Sequence, residues 1–288
     1  MANFREYSTR LASMSDMRRV TATMKMVAAS HLHRAQTELH KPEPFAEALR
    51  GLLPAMRRLN IARHRVCAAP PAQGSRILLV VITSHRGFCG AFNNSVIREA
   101  RQWTREQAGK RGAQLEALYA GQKGYAALKA ELAPCMTPPM LSAHPSSQET
   151  VALTNFTMDA FMAGRHDEVW VAGNRFVNTL VQETAIKRLL PLEEGVCTGK
   201  DKPEKMILEP ADDRMITALA RQWLHLGLYT CLLHSAAGEH AARVMAMENA
   251  TINLSRMEKD LTLLRNRARQ AAITSELTEI VSGAEALA

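Results

Sequence analysis

Beyond Pro210 the chain contains no proline and reads as helix to its last residue, about 75 residues or roughly 110 Å at helical rise. Gly227 and Gly238 weaken that helix slightly without stopping it. No ordinary globular element is so long; the segment must be half of a coiled coil or a shaft. Met247, Ala250, Leu254, Met257, Leu261, Leu264, Ala268 and Ala271 step 3-4-3-4-3-4-3, a strict heptad seam that needs a partner helix.

The other end of the chain supplies one. From Phe4 to about Arg57, Tyr7, Leu11, Met14, Met17, Met24, Ala28, Leu32, Ala35 and Leu39 mark one apolar stripe of helical period. Pro42 and Pro44 should kink or loosen it. Its span of roughly 80 Å, laid antiparallel from near Asp212, covers the C-terminal helix only to about residue 266. The seam would continue at Ser275 and Thr278, which are polar. Instead the apolar set becomes Ile273, Leu277, Ile280, Ala284 and Leu287, a two-residue shift worth roughly 200° around the helix. That new face needs a dimer contact, a folded-back end, or an apolar socket in another protein.

Between the helices, "RILLVVITS" reads as a buried strand, "HRGFCGAFN" as a turn and "NSVIREARQWTREQAGK" as a helix. "LEALYAG", "DEVWVAG", "RFVNTLVQETAI" and "EKMILEP" read as further strands, with helices from about Gly124 and Thr150. Strands alternating with helices predict an open, Rossmann-like α/β domain. The expected organisation is mixed α and β: an N-terminal coiled-coil helix over 1–57, the α/β domain over 76–210, and a C-terminal coiled-coil helix over 211–288.

The formal charge of +8 is compatible with acidic partners, but it is scattered along helical segments with few aromatics. Solvated helix faces account for it better than a nucleic-acid patch. The five cysteines show no CxxC pair and no metal spacing. The longest apolar run, "ILLVVI", is too short to span a bilayer, so any membrane association should come through a partner. "GVCTGKD" is one residue short of a Walker A motif and puts Asp201 where Ser or Thr must hold magnesium. Gly87 and Gly90 do not make GxGxxG, and neither HExxH nor GxSxG occurs. His31 and His33, two apart, would face different ways on a helix and should point to solvent. No catalytic, cofactor or metal site is assigned.

Three stretches, "VTATMKMVAASHLHRAQ", "VITSHRGFCGAFNNSV" and "EHAARVMAMENATINLSRMEKDLTLLRNRARQAAITSELTEIVSGAEAL", resemble the gamma subunits of F-type ATP synthases. Their order and separation match that family too, and the resemblance runs end to end. It implies a non-catalytic rotary shaft whose terminal helices stand inside a ring of alternating alpha and beta subunits. Its α/β foot would rest on the epsilon subunit and the membrane rotor ring of c subunits. The implied location is the cytoplasmic face of a bacterial inner membrane, without cofactor or nucleic acid.

Residue by residue, the resemblance implies that Arg269 and Gln270 bond to a beta-subunit loop. Thr274 and Glu276 match positions tied to coupling, Met24 the neighbouring position on the short helix, and Glu209 an acidic residue on the rotor-ring and epsilon side. Ile273, Leu277, Ile280, Ala284 and Leu287 would then form an apolar bearing. Departures at His85, Phe88, Leu208, His234 and Gly238 fall in the foot and mid-shaft, pointing to a divergent or second copy of the enzyme. The rival readings are a nucleotide-binding α/β enzyme and a basic coiled-coil protein that binds nucleic acid.

Overall fold

The computed structural model describes residues 2–52, 64–136, 141–192 and 213–285. Its contacts divide the chain into two compact units, one of Met1–Ala28 with Val244–Ala288 and the other Ala29–Arg243. Both divisions fall inside long helices: α1 spans Ala2–Leu39 and α6 spans Asp213–Glu285. The order between them is α2 (Glu43–Leu52), β1 (Arg76–Ile82), α3 (Phe92–Arg111), β2 (Gln114–Ala120), α4 (Gln122–Leu128), α5 (Ser147–Met162), β3 (Glu168–Phe176) and β4 (Gln182–Leu190).

In the larger unit the four strands run in the order β2-β1-β3-β4. β1 pairs in parallel with β2 and β3, and β4 closes one edge antiparallel to β3. From Ile77 to Ile82 every residue of β1 is buried, because helices cover both faces of this central strand. One face packs Leu78, Val80, Val169 and Val171 against Leu153 and Phe161 of α5 and Ile216, Ala220, Leu224 and Leu228 of α6. The other sets Leu79, Val81 and Tyr119 against Val96 and Ala100 of α3 and Leu128 of α4. The Rossmann-like expectation holds, with the first part of α6 built into its core. "EKMILEP" lies outside the described residues.

Two local features set helix starts. α1 ends at Leu39, and the Pro42 carbonyl, just before α2, accepts from the Ala46 amide; at a helix start the missing N–H of proline costs nothing. Ser146 and Glu149 form a reciprocal capping box at the start of α5. "RFVNTLVQETAI" is a correction: it is a hairpin rather than one strand. Asn178 Oδ1 accepts from the amides of Leu180 and Val181, turning the chain between β3 and β4.

Gly227 and Gly238 have packing reasons. A Cβ on Gly227 would lie 3.0 Å from Leu189 Cδ2, and one on Gly238 would lie 3.0 Å from Phe92 Cε2. Gly121 is tighter still. It adopts φ +142, and a Cβ there would lie 2.1 Å from the carbonyl oxygen of Thr83.

In the smaller unit α1 and α6 pair antiparallel. Thr21 and Thr251 share a hydroxyl hydrogen bond of 3.1 Å, Arg18 lies 3.3 Å from Glu258, and Lys25 pairs with Glu248. Projected from these pairs, Phe4 comes opposite about residues 268–272, somewhat farther than the 266 expected. The strict heptad seam is also corrected. Met257, Leu264 and Ala271 are exposed, whereas Met247, Thr251, Leu254, Glu258, Leu261, Arg265, Ala268 and Ala272 are buried or half-buried. α1 lies to one side of the apolar stripe, where Arg18, Thr21 and Lys25 meet Glu258, Thr251 and Glu248. Met17 of the expected α1 stripe is exposed as well.

Two substitutions test these features. Gly121→Ala should destabilise the larger unit by about 3 kcal/mol or more, since neither the backbone angle nor the space admits a methyl group. Denaturant titration of the purified chain measures this, and a loss below about 1 kcal/mol would contradict the packing. Leu254→Asp should destabilise the helix pair by about 2–3 kcal/mol, whereas Met257→Asp should stay within about 0.5 kcal/mol. Thermal unfolding followed by circular dichroism compares them; equal losses would restore the strict heptad.

Candidate functional site

The features of α6 change where α1 runs out. Ala272 is the last half-buried position, and every residue from Ile273 to Ser282 is exposed. A helix end in water should be polar, yet Ile273, Leu277, Ile280 and Val281 present apolar side chains, Ile280 at 67% exposure. The hydroxyls between them bond inward to their own helix. Thr274 Oγ1 donates to the Gln270 carbonyl at 3.0 Å and Thr278 Oγ1 to the Thr274 carbonyl at 2.8 Å. That satisfies the polar groups locally and leaves the apolar ones to set the character of the surface.

Helical geometry collects most of the expected site residues on one side. Arg269, Ile273, Glu276 and Ile280 form one row at steps of four, three and four; Gln270, Thr274, Leu277 and Val281 form the adjacent row. With Ala284 they occupy a sector of roughly 160°. Its centre lies roughly 130° from the face α1 covers, less than the 200° measured from the strict heptad. Polar groups therefore cluster at the base of this face and apolar groups toward the helix end. Arg269, Gln270, Thr274 and Glu276 are all exposed.

Met24 does not join them. It is half-buried on the paired side of α1, level with about residue 248 of α6, some 20 residues or roughly 30 Å from Arg269. Glu209 and Leu287 lie outside the described residues. Val281 belongs to the exposed apolar face and was missed; its i+8 spacing from Ile273 was the signal available. Val20, Met26 and Val27 of α1 and Ile252, Leu263 and Leu264 of α6 are also exposed apolar residues. Val20, Met26 and Val27 fall off the single α1 stripe, so a leftover apolar set was visible in the sequence.

The turn after β1 has little room for a phosphate. The Ser84 amide, the position at which such a loop would offer a donor, is occupied by Asn93 Oδ1 at 2.9 Å. Asn93 Nδ2 donates in turn to Ser84 Oγ at 2.8 Å and to Cys89 Sγ at 3.1 Å. Asn174 Nδ2 takes the Phe92 carbonyl at 3.0 Å. The turn is tied down by its own side chains.

The expectation for His31 is also corrected. His33 is exposed, but His31 is half-buried, with its Nδ1 2.7 Å from His144 Nε2 and its ring stacked on His240. A residue distant in sequence, His144, covers it from the loop before α5.

Comparison with known proteins agrees along the whole length. A family model described as ATP synthase matches residues 3–287. The ATP synthase gamma chain of Roseiflexus sp. (strain RS-1) is 34% identical over 305 residues, covering 100% of this chain and 99% of the relative. That of Bdellovibrio bacteriovorus is 34% identical over 297 residues, with the same coverage. A chain of the Euglena gracilis mitochondrial ATP synthase, from a structure of OSCP/F1/c-ring in rotational state 3, superposes with a TM-score of 0.66 at 17% identity. That match covers 99% of this chain and 95% of the other. One from the central stalk/c-ring of the Tetrahymena thermophila enzyme gives 0.60 at 23% identity, covering 80% and 99%. These two structures share the fold; the sequence matches fix the relationship, and the chain belongs to the ATP synthase gamma chain family.

Proposed function

We propose that this chain is the central rotary stalk of an F-type ATP synthase and couples ion flow through the membrane rotor to ATP synthesis or hydrolysis in an alpha/beta head. The observation that carries the reading is the exposed apolar face from Ile273 to Val281, beyond the reach of α1, in a chain related to gamma chains from end to end. Catalysis belongs to the head, and the stalk contributes none. A shaft turning among non-identical neighbours needs contacts that are easily exchanged, and apolar contact has no fixed direction. Directional bonds belong at the base of that face, where Arg269 and Gln270 meet a beta-subunit loop and Thr274 and Glu276 adjoin it. Met24 acts lower down, through the helix pair.

Among the described residues no helix is long and apolar enough to cross a membrane. Attachment runs through partners, the epsilon subunit and the ring of c subunits, with Glu209 on that side, at the cytoplasmic face of a bacterial inner membrane. Co-purification from membranes with a tagged chain tests the assignment: alpha and beta subunits should come with it, and their absence would refute it.

Two sets of variants test the tip. Arg269→Ala with Gln270→Ala should leave the helix content of the isolated chain unchanged, because both groups are exposed. ATPase turnover of the reconstituted head should change, since a partner loop loses charge-assisted bonds of about 1.5–3 kcal/mol each. Turnover equal to wild type at every ATP concentration would remove these residues from the coupling contact. Ile280→Arg should lower the assembled yield by setting a charge against an apolar sleeve. Deleting residues 281–288 should be milder, because it removes surface without adding a charge. The reverse order of severity would sink the bearing interpretation.

A further inference from the structure

In the larger unit three histidines from three separate elements meet. His31 is on α1, His144 in the loop before α5 and His240 on α6, and one ring nitrogen of each lies within 4.8 Å of the other two. The ring centroids are 4.8, 5.0 and 5.8 Å apart. No sequence spacing announces the group, because its members are about a hundred residues apart.

We propose that His31, His144 and His240 form a binding site for a borderline transition-metal cation of the Zn²⁺ class, clamping the loop before α5 onto α1 and α6. Imidazole nitrogen is the ligand type these cations share, and magnesium or calcium, which need oxygen, would be refused. A tetrahedral ion with bonds of about 2.0–2.1 Å holds its ligand nitrogens about 3.3 Å apart. The 2.7 Å contact between His31 Nδ1 and His144 Nε2 must open by about half an ångström, and the His240 nitrogen must close in; side-chain rotation suffices. A water would complete the coordination.

The surroundings suit a ligand role better than a hydrogen-bond network. His31 Nδ1 and His144 Nε2 face each other at 2.7 Å, two ring nitrogens directed at one point, while His144 Nδ1 on the other side of its ring is buried without a partner. His240 Nε2 is 3.1 Å from the Ala143 carbonyl, to which it donates. That is the outer-shell bond that fixes a metal-binding tautomer and leaves Nδ1 as the ligand atom.

Two cations oppose the site: Arg34 bears on His144 and Arg243 on His240. Arg243 Nη1 lies 3.3 Å from His240 Nδ1. Its other nitrogen, Nη2, is held by Glu239 at 2.6 Å and by the Gly87 carbonyl at 3.2 Å. The guanidinium is thus partly neutralised, and metal binding displaces only its longest contact.

The test is calorimetric titration of the chelator-treated, full-length chain with Zn²⁺, and with Mg²⁺ as the oxygen-seeking control. Co²⁺ serves as a spectroscopic probe. Zn²⁺ should bind with one-to-one stoichiometry and raise the melting temperature, Mg²⁺ should do neither, and Co²⁺ should develop the visible absorption of a tetrahedral nitrogen site. His144→Ala, in a loop, and His31→Gln should each weaken Zn²⁺ binding by about 100-fold or more. His33→Ala, the exposed neighbour on α1, should leave it unchanged. No stoichiometric Zn²⁺ binding to the wild-type chain would overturn the proposal. So would wild-type affinity in His144→Ala and His31→Gln, or an equal loss in His33→Ala, which would mark adventitious binding by surface imidazoles.

Discussion

One continuous helix has to suit three environments in turn, and the rest of the molecule is arranged around that requirement. From Ile216 to Leu232, α6 lies in the hydrophobic core under the sheet, where close approach sets the rules. Gly227 and Gly238 are tolerated in a helix interior because Leu189 and Phe92 come too near for a larger residue to fit without displacement. From Met247 to Ala272 the same helix is only half covered, by α1, and the contact mixes apolar residues with Thr21–Thr251 and Arg18–Glu258. Beyond Ala272, among the described residues, it is exposed from Ile273 to Ser282. Each change in side-chain character follows a change in what the helix touches.

The distribution of polarity on the last segment bears on how a stalk would work. Strong directional contacts around its whole end would lock it in one orientation, while a uniformly polar end would give a surrounding sleeve nothing to grip. Here the polar groups Arg269, Gln270 and Thr274 sit at the base of the exposed sector and the larger apolar groups toward its end. Apolar contact of that kind has no fixed direction, whereas the polar groups beneath it can make directional bonds. The additional exposed apolar residues, Val20 and Met26 on α1 and Leu263 on α6, extend that character down the helix pair.

In the larger unit, long-range tertiary contacts do work that local signals cannot. Thr83 and Gly121 bring the ends of β1 and β2 so close that a single methyl group is excluded. The histidine cluster is of the same kind: a residue of α1 acquires its environment from a loop more than a hundred positions away. Whatever His31 binds, its setting depends on the α1, α5-loop and α6 segments being packed together first.

Sequence alone determined a good deal. A proline-free run of helical period too long for a globule, a matching stripe at the other end, and strands alternating with helices between them are local or periodic signals, and they fixed a coiled coil with an α/β domain. The change of apolar face at Ile273 was legible because helical period turns sequence number directly into direction. Tertiary structure decided which side of the stripe α1 would occupy. Counting apolar residues favoured Met257 and Leu264, but Glu258 and Arg265 are the ones covered, and Arg18 meets Glu258 across the pair. It also decided that Asn178 would turn "RFVNTLVQETAI" into a hairpin and that His31 would be enclosed while His33 stayed in water. Periodicity reports which face of an element is buried on average; it carries no record of which distant side chains arrive to bury it.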